Sequence, residues 1–372
     1  MSDDSNEEGQ GDAVSDFVGR VFASALGALE ILSIYLGVRL GWYRALAEAG
    51  QLSSTELARR TATQERYARE WLEQQAVSGI LTVEETDAAD AAPVAASDRR
   101  FSLPAAHAEV LTDGTSLDYF APFVRMFAAS AVQLPQLLDA YRAGGGVSWQ
   151  QLGADAHESQ GDQNRPWFEK RLAPALASVD SLHQVLSRPG AHIADVGCGH
   201  GWSTLALARA YPDARVEGFD VDQPSIEAAR RHATEAGLGD HVRFHLVGGE
   251  ELAAEGRFDA AFVFEAVHDM PYPVEVLAAI RRAVRDDGEV VIMDEAVAER
   301  FAPDGDEIER LMYGFSLFVC LPDSLSSPGS VGTGTVMRQS TLEGYALEAG
   351  FSGIEELPIE GFAFFRFTRL VR

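Results

Sequence analysis

The sequence predicts an α/β fold: a doubly wound, mostly parallel sheet ending in an antiparallel hairpin, preceded by a smaller, mainly helical domain. Three observations predict it. From Ala191 onward, short apolar runs alternate with helical ones, the pattern of parallel strands covered by helices on both faces. The strand-like stretch IADV at 193–196 passes into a glycine-rich turn and then a helical run. Upstream, the chain reads helix, turn, helix and two short strands.

The elements follow in order. Residues 1–16, MSDDSNEEGQGDAVSD, are polar and acidic. They are expected to be a disordered tail and do not have the character of a signal or transit peptide. Val21 to Leu40 is the most apolar early stretch, interrupted by Glu30, Arg39 and several glycines. This predicts a buried or dimer-interface helix, not a membrane span.

Residues 17–105 read as a winged-helix domain. LSSTELARRT is a helix capped by Ser53 or Ser54, with Leu57 and Ala58 facing inward. TQERYAREWLEQQAVSGIL is expected to set Tyr67, Trp71, Leu72 and Val77 on one stripe and to stop at Gly79. ILTVEE and RRFSLP supply the wing, with an alanine- and aspartate-rich loop between them. Such a domain serves either to bind DNA or to dimerise. Residues 1–105 carry 9 arginines against 17 acids, and the helix that would enter a groove holds Glu65, Glu70 and Glu73 beside Arg66 and Arg69. That surface disfavours nucleic acid and leaves a homodimer through the N-terminal domain as the expectation.

Residues 106–188 are expected to form a helical bridge and substrate cover, rich in aromatic side chains that suit either core or pocket lining. Residues 189–372 form the larger domain. Its strands fall near 192–196, 215–219, 242–246, 258–264 and 289–293, and its helices near 202–210, 224–236 and 273–285. SGIEELPI and FAFFRFTRL predict a closing hairpin with a tight turn at Glu360-Gly361, and Pro358 suits an edge strand.

The chain has 372 residues, 30 basic against 57 acidic, for a formal net charge of −27. Lys170 is the only lysine. That balance repels phosphate backbones and anionic lipid, and it suits a protein of a high-salt cytoplasm. Cys198 and Cys320 form no disulfide framework, and neither they nor the histidines show metal-ligand spacing. The expectation is therefore a cytoplasmic protein with no metal and no membrane partner.

The glycine turn, DVGCGHG, carries the chemistry. Gly197, Gly199 and Gly201 are evenly spaced, and the sixth position of a dinucleotide pattern is Trp202. Asp195 sits two residues before the first glycine, where a pyrophosphate would meet a carboxylate and a positively charged ligand would be favoured. Asp220 closes the next strand, 25 residues on, and its two oxygens can accept from both hydroxyls of a ribose. Asp222 is better placed to cap the helix opening at Pro224.

These residues resemble the first two motifs of class I S-adenosylmethionine-dependent methyltransferases, whose domain is Rossmann-like. The resemblance spans about residues 17–372 and is closest to two-domain enzymes with an N-terminal winged helix that act on small molecules. It implies S-adenosylmethionine as cofactor. It also implies Asp195, Gly197, Gly199, Gly201 and Asp220 as its binding residues, joined by Gly248, Gly249 and Glu250 after the third strand and by Glu265 after the fourth. Many members have an aspartate where this chain has Gly248 and Gly249. FVFEAVHDMPYP resembles the His-Asp element of O-methyltransferases and makes His268 the candidate general base, with Asp269 beside it. Positioning alone is the other reading of His268, since in-line alignment is itself a large catalytic effect. Asp294 and Glu295 end the fifth strand on the same side. The expected reaction is methyl transfer to a small molecule, at a hydroxyl oxygen. The alternative is a winged-helix transcriptional regulator that senses S-adenosylmethionine without turnover.

Overall fold

The computed structural model describes residues 4–84, 95–254 and 258–372. The chain divides into two compact units, Met1–Ala128 and Ala129–Arg372.

The first unit comprises α1 (Asp4–Arg39), α2 (Trp42–Ala49), α3 (Ser54–Thr61), α4 (Glu65–Val77), the antiparallel pair β1 (Thr82–Val83) and β2 (Phe101–Ser102), and α5 (Ala105–Thr112). The loop expected between the wing strands lies largely outside the described residues. α3 starts with a capping box. Ser53 Oγ accepts from the Glu56 N–H, and the Glu56 carboxylate accepts from the Ser53 N–H. The inward stripe of α4 is Ala68, Trp71, Leu72 and Gln75, the i, i+3, i+4, i+7 face of one helix. Tyr67 and Val77, expected on that stripe, are 74% and 90% exposed. Ten residues of helix turn them away from each other and from the buried face.

α1 departs further from expectation. It is one unbroken helix of 36 residues that takes in the acidic stretch expected to be a tail. Its glycines do not interrupt it. Gly19 and Gly27 have nothing within reach of an added Cβ, whereas Gly37 lies flat against the rings of Trp71 and Tyr43. The C-terminal half is anchored there, with Trp71 Nε1 donating to the Ser33 carbonyl at 2.8 Å. The N-terminal half is exposed, which leaves an interface as the open part of the expectation of a buried or dimer-interface helix. Val14, Phe17, Val18, Val21, Phe22 and Leu26 are all more than half exposed. By length and composition alone, Asp12–Arg39 is long and apolar enough to cross a membrane. α6 (Ala121–Val132) carries the chain from one unit into the other.

The second unit begins with α7 (Leu134–Ala143), α8 (Trp149–Leu152), α9 (Ala154–Trp167), α10 (Ala173–Ala177) and α11 (Asp180–Leu186), with a π-helical turn over Phe168–Leu172. Then come β3 (His192–Val196), α12 (Trp202–Ala210), β4 (Arg215–Asp220), α13 (Gln223–Glu235), β5 (Val242–Leu246), β6 (Phe258–Phe264), α14 (Pro273–Ala283) and β7 (Val284–Glu295). After it follow α15 (Glu307–Phe315), a π-helical turn over Ser316–Cys320, α16 (Leu321–Leu325), α17 (Gln339–Glu348), β8 (Gly353–Glu356) and β9 (Phe365–Val371).

The seven strands lie in the order β5-β4-β3-β6-β7-β9-β8. The first five are parallel, and β9 is antiparallel to both β7 and β8. One apolar cluster, with Ile193, Leu205, Phe262 and Phe367, covers one face of the sheet. Another, with Val196, Phe219, Leu277 and Ile292, covers the other. Strands buried on both faces must be apolar throughout, and all seven residues of β6 are buried. The fifth strand, expected near 289–293, begins earlier, at Val284, and its pairing with β6 shifts register between Phe258 and Ala260.

The closing pair is not the tight hairpin expected at Glu360-Gly361. Residues 357–364 connect β8 to β9, and Phe362 within them is 2% exposed, packed on Phe367 and Trp167. Burying that ring outweighs a two-residue turn.

The capping box yields a stability prediction. Ser53→Ala should destabilise the first unit by about 1 kcal/mol, the usual value of a side-chain N-cap. Denaturant unfolding of the full chain, followed at the buried tryptophans, checks it; no change would assign the start of α3 to tertiary packing alone.

Candidate active site

β3 is central, with β4 on one side and β6 on the other, so the chain crosses in opposite directions from it. A crevice opens at such a point beyond the carboxyl ends of the strands. The glycine turn lies there. Gly197, Gly199 and Gly201 have φ of 76°, 49° and 79°, the left-handed region that suits glycine. A Cβ on Gly197 would strike Ala266, and one on Gly201 would strike Ala229 and Phe244. A Cβ on Gly199 meets nothing within 4 Å, so this residue leaves its backbone open to a ligand.

Asp195 is fully buried beneath the turn. One oxygen accepts from Ser203 and Thr204 of α12, each at 2.6 Å, and the other has no protein partner. The two bonds tie the turn to α12 through Oδ2. Burial pushes its carboxyl up to about 6, and the Ser203 and Thr204 hydroxyls restrain that rise. Asp220 stands at the end of β4. Its two oxygens accept from the N–H groups of Gly199 (2.8 Å) and Asp222 (2.9 Å), and each oxygen keeps a further lone pair. Asp222 caps α13 by accepting from the Ser225 N–H. Gly248 and Gly249 follow β5, and Gly249 packs against Val276 and Val196. The Glu250 side chain is exposed.

Glu265 follows β6 with φ of 52°, unusual for a residue with a side chain. Its N–H donates to the Met293 carbonyl, and its carboxylate accepts from Asn164 of α9 at 2.5 Å. Burial pushes its carboxyl up to about 7, against the Asn164 hydrogen bond and the His268 charge, which act the other way. Asn164 is a site residue that sequence reasoning missed; it lies 101 residues away and no local pattern marks it. His200 is part of the glycine turn. Its ring faces Gly161 of α9, and His232 of α13 is its aromatic neighbour.

His268 is buried, with 1% of its surface exposed. Its Nδ1 lies 2.5 Å from Asp294 Oδ1 and 3.2 Å from Glu295 Oε2, and its Nε2 lies 3.3 Å from Asp269. Its carbonyl accepts from the Gly334 N–H. Burial by itself would lower its proton affinity, but Asp269, Asp294 and Glu295 together hold it well above the ordinary histidine value.

No metal-ligand set is visible in the residue spacing, yet the fold assembles ligand-type side chains. His268, Asp294 and Glu295 have ligand atoms within 4.8 Å of one another, as do His268, Asp269 and Cys320. Two ligands at about 2.0–2.2 Å from one ion stand roughly 3 Å apart or more. At 2.5 Å, Nδ1 and Asp294 Oδ1 have the spacing of a hydrogen bond. Burial raises the Cys320 thiol far above its usual range, so with no cation beside it the thiol is protonated.

Residues 193–288 match the methyltransferase domain family, and residues 27–113 match the Rv2258c-like winged HTH domain family. A ubiquinone biosynthesis O-methyltransferase of Ralstonia nicotianae is 30% identical over 193 residues, covering 49% of this chain and 74% of that protein. The chain spans about half the length of other curated relatives it matches, such as the ubiquinone biosynthesis O-methyltransferase of Dechloromonas aromatica, at 33% identity over 31% of this chain. The fold is that of the mitomycin 7-O-methyltransferase MmcR, with a TM-score of 0.71, 21% identity and coverage of 97% of this chain and 99% of that one.

Asp195 gives a pH prediction. Its folded value, about 6, lies above the ordinary 3.8, so the folded protein binds this proton more tightly than the unfolded chain does. Its contribution to stability is full below the ordinary value and is lost as pH rises through the folded one. Asp195→Asn should therefore melt higher than the parent by a margin that grows between about pH 4 and 6 and then stays constant. Melting curves across that range check it; a margin independent of pH would mean that Asp195 is ionised throughout.

Proposed function

The chain belongs to the S-adenosylmethionine-dependent methyltransferases, and on that premise we propose that it methylates a hydroxyl oxygen of a small molecule, with His268 as general base. The observation that carries this reading is the 2.5 Å hydrogen bond between His268 Nδ1 and Asp294, on the same sheet rim as the glycine turn and Asp220.

When bound, S-adenosylmethionine supplies a methyl group made electrophilic by the sulfonium. The residues present fit it. Gly199 leaves room for close approach, Asp220 has lone pairs for two ribose hydroxyls, and the carboxylates of Glu265 and Asp195 suit a cationic ligand. Asp294 fixes the imidazole tautomer by accepting from Nδ1–H, which leaves the Nε2 lone pair to take the acceptor's proton as its oxygen bonds to the methyl carbon. Such a base contributes roughly 10²–10⁴ in rate, and alignment of the reacting atoms up to about 7–11 kcal/mol.

The alternative, a cofactor-sensing regulator, requires cations for DNA on α4. There Arg66 pairs with Glu70 and Arg69 with Glu65. We further propose a cytoplasmic homodimer suited to high salt. The exposed apolar face of α1 supports the dimer, since a stable pair needs about 800 Å² from each partner. The net charge of −27 works against seating that face on an anionic membrane.

Two measurements test these readings. In calorimetry with S-adenosylmethionine, Asp220→Ala should lose at least about tenfold in affinity, and with an identified acceptor His268→Ala should lose about 10²–10⁴ in turnover while still binding the cofactor. Full turnover in His268→Ala would leave His268 as a packing residue. Light scattering of the full chain in molar KCl should give twice the chain mass, and Phe22→Glu should give one; a monomeric parent at all concentrations would end the dimer proposal.

A further inference from the structure

His268 faces two consecutive residues of one strand, although one carboxylate is enough to orient an imidazole. Neighbouring strand residues normally point to opposite faces. Asp294 and Glu295 converge because β7 ends here. The Ala296 N–H donates to the Phe364 carbonyl, and the Val297 N–H donates back to the Glu295 carbonyl, closing a tight turn. Both acids are 6% exposed. Asp294 Oδ1 accepts from His268 and from the Glu295 N–H; among the described residues Asp294 Oδ2 and Glu295 Oε2 have no hydrogen bond, although Glu295 Oε2 lies 3.2 Å from His268 Nδ1, whose hydrogen Asp294 takes. The two carboxyl side chains are within hydrogen-bond reach of each other, and two buried carboxyls sharing a site are satisfied by one hydrogen between them.

We propose that Glu295 is held neutral, donates its proton to Asp294, and thereby limits how strongly Asp294 holds a proton on His268. The inference rests on His268 acting as a base. The groups facing that ring are Asp269 from its own turn, Asp294 and Glu295 from β7, Glu265 from the end of β6 and Cys320 from the π-helical turn before α16. Asp323 of α16 stands beyond Asp269. Three ionised carboxylates within 3.3 Å would lock the ring as imidazolium, with no lone pair for the acceptor's proton. A neutral Glu295 removes one of those charges and withdraws electron density from another. Its carboxyl is held well above the usual range, chiefly by burial, while Asp294 is held below it, its own burial outweighed by His268 and Glu295. Glu295 is therefore a positioning residue, acting on the His268 proton through Asp294.

The test follows His268 protonation directly and needs no acceptor. The full chain is labelled with 15N-histidine and saturated with S-adenosylhomocysteine, and the His268 ring signals are assigned by their loss in His268→Gln. In Glu295→Gln the amide still donates to Asp294, so the midpoint should stay within about 0.3 pH units of the parent. In Glu295→Ala that donor is gone, and the midpoint should rise by about one unit, a tenfold gain in proton affinity. If Glu295 is ionised, both variants lose a negative charge and both midpoints fall by about a unit or more, which overturns the proposal. An unmoved midpoint in a folded Glu295→Ala overturns it too. Should Glu295→Ala fail to fold, the nearly isosteric Glu295→Gln decides, because only an ionised Glu295 predicts a fall there. Full turnover in His268→Ala would remove the base reading and leave this outcome as it stands.

Discussion

The second unit is organised around the need to keep carboxylates out of water at the rim of its sheet. A buried carboxylate must recover the hydrogen bonds it gave up in solvent. Each one here takes its donor from a different part of the chain. Asp195 draws on the hydroxyls of α12, Asp220 on the backbone of the glycine turn, Glu265 on Asn164 of α9, and Asp294 on His268. The same bonds that satisfy the acids therefore fasten α9, α12 and the turn to the strand ends. The crevice at the reversal of strand order is held in shape by the groups that give it its charge.

This accounts for what the sequence reveals and what it hides. Parallel strands buried on both faces are largely apolar runs between helical ones, so β3 and β6 are legible to the residue, and the edge strand β5 is legible by its alternation of buried and exposed positions. Asp195 and Asp220 stand at strand ends, where period and turn chemistry are strongest. Asn164 cannot be found that way, because its partner is brought to it by the packing of α9, and the convergence of Asp294 and Glu295 depends on a turn held by the Phe364 carbonyl, in the connection before β9. The closing connection is hidden for a related reason. Glycine at 361 signals a turn, but burial of Phe362 decides the path.

α1 shows the opposite failure. Its glycines and charges read locally as interruptions, yet a helix anchored at one end by Ser33 and Gly37 against Trp71 runs on through them. Interior glycine costs roughly 0.5–1 kcal/mol each, less than sustained helix geometry and packing return. What the periodicity could not tell is that most of the apolar surface faces outward. A buried core helix and a helix whose apolar face is exposed have similar compositions.

The acidic surface and the acidic site act on His268 at different ranges. With 57 acids against 30 basic residues, the whole chain favours a proton on any histidine at low salt. In molar salt the Debye length is about 3 Å, so distant charges drop out while contacts at hydrogen-bond range, shielded from ions by burial, remain. Under those conditions the buried groups that face the ring, Asp269, Asp294 and Glu295 first among them, set its state. As the proposed base, His268 keeps a protonation independent of ionic strength to the extent that neighbours inside the screening distance govern it. A compact group of acids around one buried imidazole meets that requirement, and a single remote carboxylate would not.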